Sequence, residues 1–131
     1  AICKAHPEWF EDPRLFSTPG KGGHPRGMAI DVDAEDENGN LIDFGTAFDT
    51  LPEDRYKENP SARDYKNFPQ HVLDNRKKLE DAFLEAGKNH GQNICPLGGE
   101  WWDFRYFPEE YNLYAPLSDD DLPPHMRMVI C

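Results

Sequence analysis

Two short stretches of this chain combine metal-ligating or proton-transferring side chains with glycines that let the backbone turn. The first is His24-Pro25-Arg26-Gly27-Met28-Ala29-Ile30-Asp31. A loop histidine and a strand aspartate seven residues on can converge if Gly27 turns the backbone, and imidazole with carboxylate suits a zinc ion. On its own the pair is a weak signal, because a lone loop histidine is more often solvated or hydrogen-bonded than a ligand. The second is Glu100-Trp101-Trp102-Asp103, which follows Gly98-Gly99. A carboxylate set among tryptophans is poorly hydrated, which raises its pKa toward the range of a general base. The plain alternative is a solvent-facing Glu100 with Trp101 and Trp102 as core. Strand alternation places residues three apart on opposite faces. Glu100 and Asp103 can therefore share a site only if Glu100 precedes the strand or sits in a bulge.

The elements that would position these residues follow from local pattern. Gly20, Gly22, Gly23 and Gly27, with Pro19 and Pro25, make the stretch around His24 a loop. It leads into Met28-Ala29-Ile30-Asp31-Val32-Asp33, a β-prone run. Asn38-Gly39 then signals a tight turn before Leu41-Ile42-Asp43-Phe44, so a strand, a hairpin turn and a second strand are expected. Residues 50–69 are polar and hold Pro52, Pro60 and Pro69, as a long surface connection would. Val72, Leu79, Ala82, Phe83 and Ala86 recur at helical spacing, which predicts a helix over 70–86 with Gly87 as its C-terminal cap. A strand is expected from Glu100 to Phe107, ended by Pro108, and the tail from Glu109 reads as extended surface wrapping.

Composition bounds what this arrangement can serve. The 131 residues fit a single domain, 1–131, complete in itself or the C-terminal part of a longer chain. Apolar residues make up 37%, including three Trp, eight Phe and five Tyr, enough for one core despite a mean hydropathy of −0.83. The net charge of −11 opposes binding to nucleic acid or an anionic membrane surface, since both need a cationic face. There is neither a run of about 20 apolar residues nor a signal-peptide pattern. The chain starts at Ala1, and Ile2-Cys3-Lys4-Ala5 reads like the end of a helix, so the compartment stays open. Cys3, Cys95 and Cys131 lack metal-knuckle or redox spacing and are expected as buried or free thiols.

Taken together, the motifs resemble the D-alanyl-D-alanine dipeptidase family. Gly22 to Asp31 is similar to its S-x-H-x-x-G-x-A-x-D signature, matching at His24, Gly27, Ala29 and Asp31. Asp43-Phe44-Gly45-Thr46-Ala47-Phe48-Asp49 resembles its Gly-Ser/Thr-x-Phe-Asp segment, and Glu100-Trp101-Trp102-Asp103-Phe104 its terminal E-W-W-H-F/Y motif. The order is preserved across roughly residues 16–107, and the doubled tryptophan favours the dipeptidase branch over the related carboxypeptidases.

The resemblance implies an α+β fold of the Hedgehog/DD-peptidase-like, lysostaphin-related kind. A small, mainly antiparallel sheet would carry the metal site, flanked by helices and long loops. It implies His24 and Asp31 as zinc ligands, Asp103 at the position of the third, and Glu100 as general base. The reaction implied is zinc-dependent hydrolysis of D-alanyl-D-alanine or a similar short cell-wall (peptidoglycan) dipeptide, in a bacterial cytoplasm or periplasm.

Three departures qualify that picture. Asp103 stands where the family has histidine, giving a harder, more anionic donor set that shifts preference toward Mn²⁺ or Fe²⁺. Gly22 replaces the signature serine. The family's Tyr-Arg-Pro motif is not in the chain, and Arg14 and Arg26 lie in the wrong context to replace its arginine. Two rival readings follow: a pseudoenzyme that binds metal or peptide without turnover, and an acidic structural interaction domain.

Overall fold

The computed structural model describes residues 20–52 and 57–127. The expectations for Cys3, Arg14 and Cys131 lie outside the described residues. The architecture is α+β: a three-stranded antiparallel sheet with a long helix on it and long connections around it. Strand β1 (Ala29–Asp31), helix α1 (Gln70–Asn89), strands β2 (Ile94–Pro96) and β3 (Asp103–Tyr106) and the one-turn helix α2 (Pro108–Tyr111) follow in chain order. The sheet order is β1-β3-β2, so the last strand lies in the middle.

β3 earns that position by composition. Asp103 and Phe104 are buried, and with the tryptophans before them they form a nearly water-free run. Trp101 stacks on Phe44 with ring centroids 4.3 Å apart and meets Trp102 edge to face at 5.2 Å. Its indole N–H donates to the Thr46 hydroxyl at 2.8 Å, so the segment after Phe44 is tied to the core by a satisfied polar contact. On the other side Phe104 stacks on Phe83 of α1, with centroids 4.0 Å apart and an interplanar angle of 11°.

Several expected elements are shifted. The first strand shortens from 28–33 to Ala29–Asp31. Asn38-Gly39 does form a turn, with Gly39 at φ 79°, but the second strand at 41–44 reduces to a single bridge between Glu35 and Leu41. Leu41 is exposed while Ile42 and Phe44 turn toward the core, and Ile42 N–H donates to Ala34 C=O at 2.9 Å beside that bridge. Ile94–Pro96 forms an edge strand that was not expected; three residues carry too little alternation to be recognised. The strand predicted from Glu100 starts at Asp103. The tail is not purely extended, holding α2 and 3₁₀ turns at Asp119–Asp121 and Pro124–Met126.

Helix α1 runs to Asn89, three residues past the expected end, and Gly87 lies inside it. A Cβ at Gly87 would stand 2.6 Å from Ile94 Cγ1, so this glycine admits β2 against the helix. The stop comes at Gly91, φ 67°. There Gln92 N–H donates to Gly87 C=O at 2.8 Å and Gly91 N–H to Lys88 C=O at 3.1 Å, the paired bonds of a Schellman ending. Ala82 and Ala86 are exposed, and the buried stripe includes Arg76. The Arg76 guanidinium donates to the carbonyls of Phe44 (2.8 Å), Pro60 (2.9 Å) and Ala62 (3.1 Å), fastening the long connections to the helix.

Candidate functional site

His24 opens a 3₁₀ turn, His24–Arg26, closed by Gly27 in the left-handed region at φ 65°. Arg26 pins this loop by donating to the carbonyls of Gly20 and Gly22 at 2.8 Å each and of Tyr114 at 2.8 Å. Gly23 permits the loop's approach to β1, since a Cβ there would lie 3.0 Å from both Ala29 Cβ and the Met28 carbonyl oxygen. Arg26 is thus a loop staple whose Nε and Nη1 donors are engaged by backbone carbonyls.

Asp31 ends β1 and is the register partner of Asp103 on β3. Directly opposed residues in an antiparallel pair project to the same face. His24 Nε2 lies 3.1 Å from Asp103 Oδ2 and 3.4 Å from Asp31 Oδ1, and one donor atom from each residue falls within 4.8 Å of the others. An imidazole and two carboxylates at that separation are a donor set suited to a divalent cation, and three protein donors leave a coordination position open. The residues present fit a metal ion; the donor set does not choose which.

Asp103 is the most enclosed of the three, with 0% of its surface exposed. Both its oxygens are held by Arg105: Nε donates to Oδ1 at 2.7 Å, and Nη2 contacts Oδ2. Its backbone carbonyl accepts from Arg63 Nη2 at 2.9 Å and from Leu97 N–H at 3.1 Å, so the residue is fixed from both ends. Arg105 was not among the candidate residues. The signal was available in the two-residue spacing, which puts Asp103 and Arg105 on one face of a strand.

Glu100 lies in the turn before β3, meeting the condition that let it share a site with Asp103. It is partly buried, and one carboxylate oxygen, Oε2, accepts from the Trp102 indole N–H at 2.9 Å. Burial raises its pKa above the ordinary carboxylate value, the Asp103 charge adds to the rise, and the Trp102 hydrogen bond partly offsets it. Asp31 is likewise raised, first by burial, with His24 opposing the shift and Asp103 adding to it. Glu100 is therefore in electrostatic contact with both aspartates, beside the cluster of His24, Asp31 and Asp103 rather than within it.

Phe48 and Asp49 were noted only as part of a motif. Phe48 packs on Trp102 with ring centroids 5.8 Å apart while 43% exposed, and Asp49, at φ 58°, is close enough to push the Asp31 pKa upward. Gly22 sits at φ 83°, a backbone conformation that disfavours the serine of the resembling signature.

No protein-family profile matches the chain. A stretch of 81 residues, 62% of the chain, is 35% identical to the D-alanyl-D-alanine dipeptidase of Escherichia coli strain K12. The match spans 36% of that protein's length. The chain is thus similar to part of a dipeptidase, and it brings together a histidine and two aspartates able to hold a metal ion.

Proposed function

We propose that this chain is a metal-dependent peptidase domain that hydrolyses D-alanyl-D-alanine or a similar short cell-wall dipeptide. His24, Asp31 and Asp103 would hold zinc, with Mn²⁺ or Fe²⁺ as harder alternatives, and Glu100 would serve as general base. The observation that carries the reading is the convergence of His24 with Asp103 across 79 positions of chain, with the partly buried carboxylate of Glu100 alongside. The similarity to a dipeptidase supports the substrate class.

A bound divalent cation supplies Lewis acidity, polarising the scissile carbonyl and lowering the pKa of water. The chain's own residues do the rest. Glu100 keeps Oε2 on Trp102 and leaves its other oxygen to take a proton from the attacking water. Its raised pKa suits that exchange, because a base near the working pH can both accept the proton and release it to the leaving amine. The amide C–N bond breaks as the C–O bond forms, giving one carboxylate and one ammonium group. Phe48, 43% exposed and packed on the buried Trp102, offers an apolar surface on that side of the site.

The test is metal content of the purified chain together with D-alanine release from D-alanyl-D-alanine, repeated for Glu100→Gln. Bound metal, with release falling by about 10²-fold or more in the variant, supports the peptidase. Absence of metal in the wild-type chain, or full activity in Glu100→Gln, overturns it. A second reading, a metal-binding domain without turnover, is favoured by the Arg105 fork on Asp103, which places a cation against a ligand oxygen. It requires bound metal and no release under any condition.

A further inference from the structure

We infer that Arg105 is the counter-charge that lets Asp103 enter the metal site as the equivalent of a neutral donor, so that the two residues act as one unit. The inference rests on the peptidase reading of the His24, Asp31 and Asp103 cluster. The Asp103 side chain is 1% exposed and that of Arg105 16%. A carboxylate so enclosed needs a compensating cation, and the guanidinium fork supplies one with donors to both oxygens. The nearby alternative, Arg63, is already matched: its Nη1 pairs with Glu80 at 2.8 Å and its other donors go to the carbonyls of Leu97 and Asp103.

Charge accounting gives the consequence. With His24 neutral and Asp103 cancelled by Arg105, the donors keep the single negative charge of Asp31. An imidazole in place of the Asp103–Arg105 pair would leave the same total. Replacing Asp103 alone by a neutral donor would instead strand the Arg105 cation beside the incoming metal. Replacing Arg105 alone would leave two uncompensated carboxylates facing each other, a harder and more anionic site. The two positions are therefore coupled, and neither substitution reports on the site by itself.

The experiment is calorimetric titration of the metal-free full chain with Zn²⁺ and separately with Mn²⁺, for wild type, Asp103→His, Arg105→Gln and the double variant. Asp103→His is expected to bind Zn²⁺ at least ~10-fold more weakly than the double variant. In the wild-type site Arg105→Gln is expected to change the Zn²⁺ affinity by less than that, the difference between the two legs being the coupling. Arg105→Gln is expected to move the Mn²⁺-to-Zn²⁺ affinity ratio toward Mn²⁺ by several-fold or more. Additive effects, or an Asp103→His variant that binds Zn²⁺ as tightly as the double, overturn the pairing while leaving the metal site standing. If the wild-type chain binds neither ion, the peptidase reading fails and the pairing fails with it. Should circular dichroism show Asp103→His unfolded, Asp103→Asn completes the same cycle.

Discussion

Asp31 and Asp103 stand directly opposite each other in the β1–β3 ladder, with His24 Nε2 3.4 Å from one carboxylate and 3.1 Å from the other. Two like charges in that position oppose strand pairing, and Arg105 on Asp103 offsets only part of the repulsion that Asp31 feels. A cation between them reverses the sign. Under the proposed function, saturating Zn²⁺ or Mn²⁺ raises the melting temperature. At a hundredfold excess over Kd the gain is about 2.7 kcal/mol. Asp31→Asn removes the repulsion and one donor together. It is expected to melt no lower than wild type without metal and to lose most of the metal-induced shift, as read by thermal denaturation with and without chelator.

Glu100 makes the pH dependence specific. Its folded-state pKa lies above its ordinary value of 4.5, so between the two values the folded chain binds more protons than the unfolded one. Stability of the metal-free chain therefore falls as pH rises through that window, and the penalty is fully present above the folded-state pKa. Glu100→Gln removes this titration. Urea denaturation of metal-free protein across mildly acidic to neutral pH should show a shallower decline in the variant; parallel curves would refute the assignment.

Arg76 is 7% exposed and serves three backbone carbonyls on residues 44–62. Arg76→Met keeps much of the apolar volume and leaves those acceptors unpaired, with an expected loss of about 2–4 kcal/mol. Equilibrium unfolding checks the magnitude. Because Phe44 stacks on Trp101, the loss should be accompanied by altered tryptophan fluorescence in the folded state.

Gly45 has φ 84°, and a Cβ there would lie 2.8 Å from two Phe68 ring carbons and 2.9 Å from Val72 Cγ1. Gly45→Ala combines left-handed strain with overpacking and should cost roughly 2–4 kcal/mol. Gly22, at φ 83° with open space around it, separates the two effects. Gly22→Ser is expected to cost only about 1–2 kcal/mol. Under the proposed function it should leave D-alanine release unimproved, because the backbone there does not suit the residue it would receive.

Local chemistry made a good deal of this protein legible. The periodicity from Val72 to Phe83 revealed α1, Asn38-Gly39 marked its turn, and the dense aromatic run after Gly98-Gly99 placed the core. Glycines and strand edges made His24, Asp31 and Asp103 weak candidates, the resemblance to the dipeptidase motifs raised them to a ligand set, and the structure brings those three together. Such features depend on residues a few positions apart, where backbone geometry already limits what the chain can do.

What only the tertiary structure decided depends on contacts between distant segments. Ile94–Pro96 becomes a strand because β3 offers it a partner, and Gly87 is a docking site rather than a cap because Ile94 needs its missing side chain. Arg76 enters the buried stripe because carbonyls from residues 44–62 come within its reach. The strand pairing aligns Asp31 with Asp103, and enclosure of Asp103 turns Arg105 from an ordinary strand residue into its ion-pair partner. A side chain's type is local, but its electrostatic work depends on which charges and how much water the fold leaves beside it.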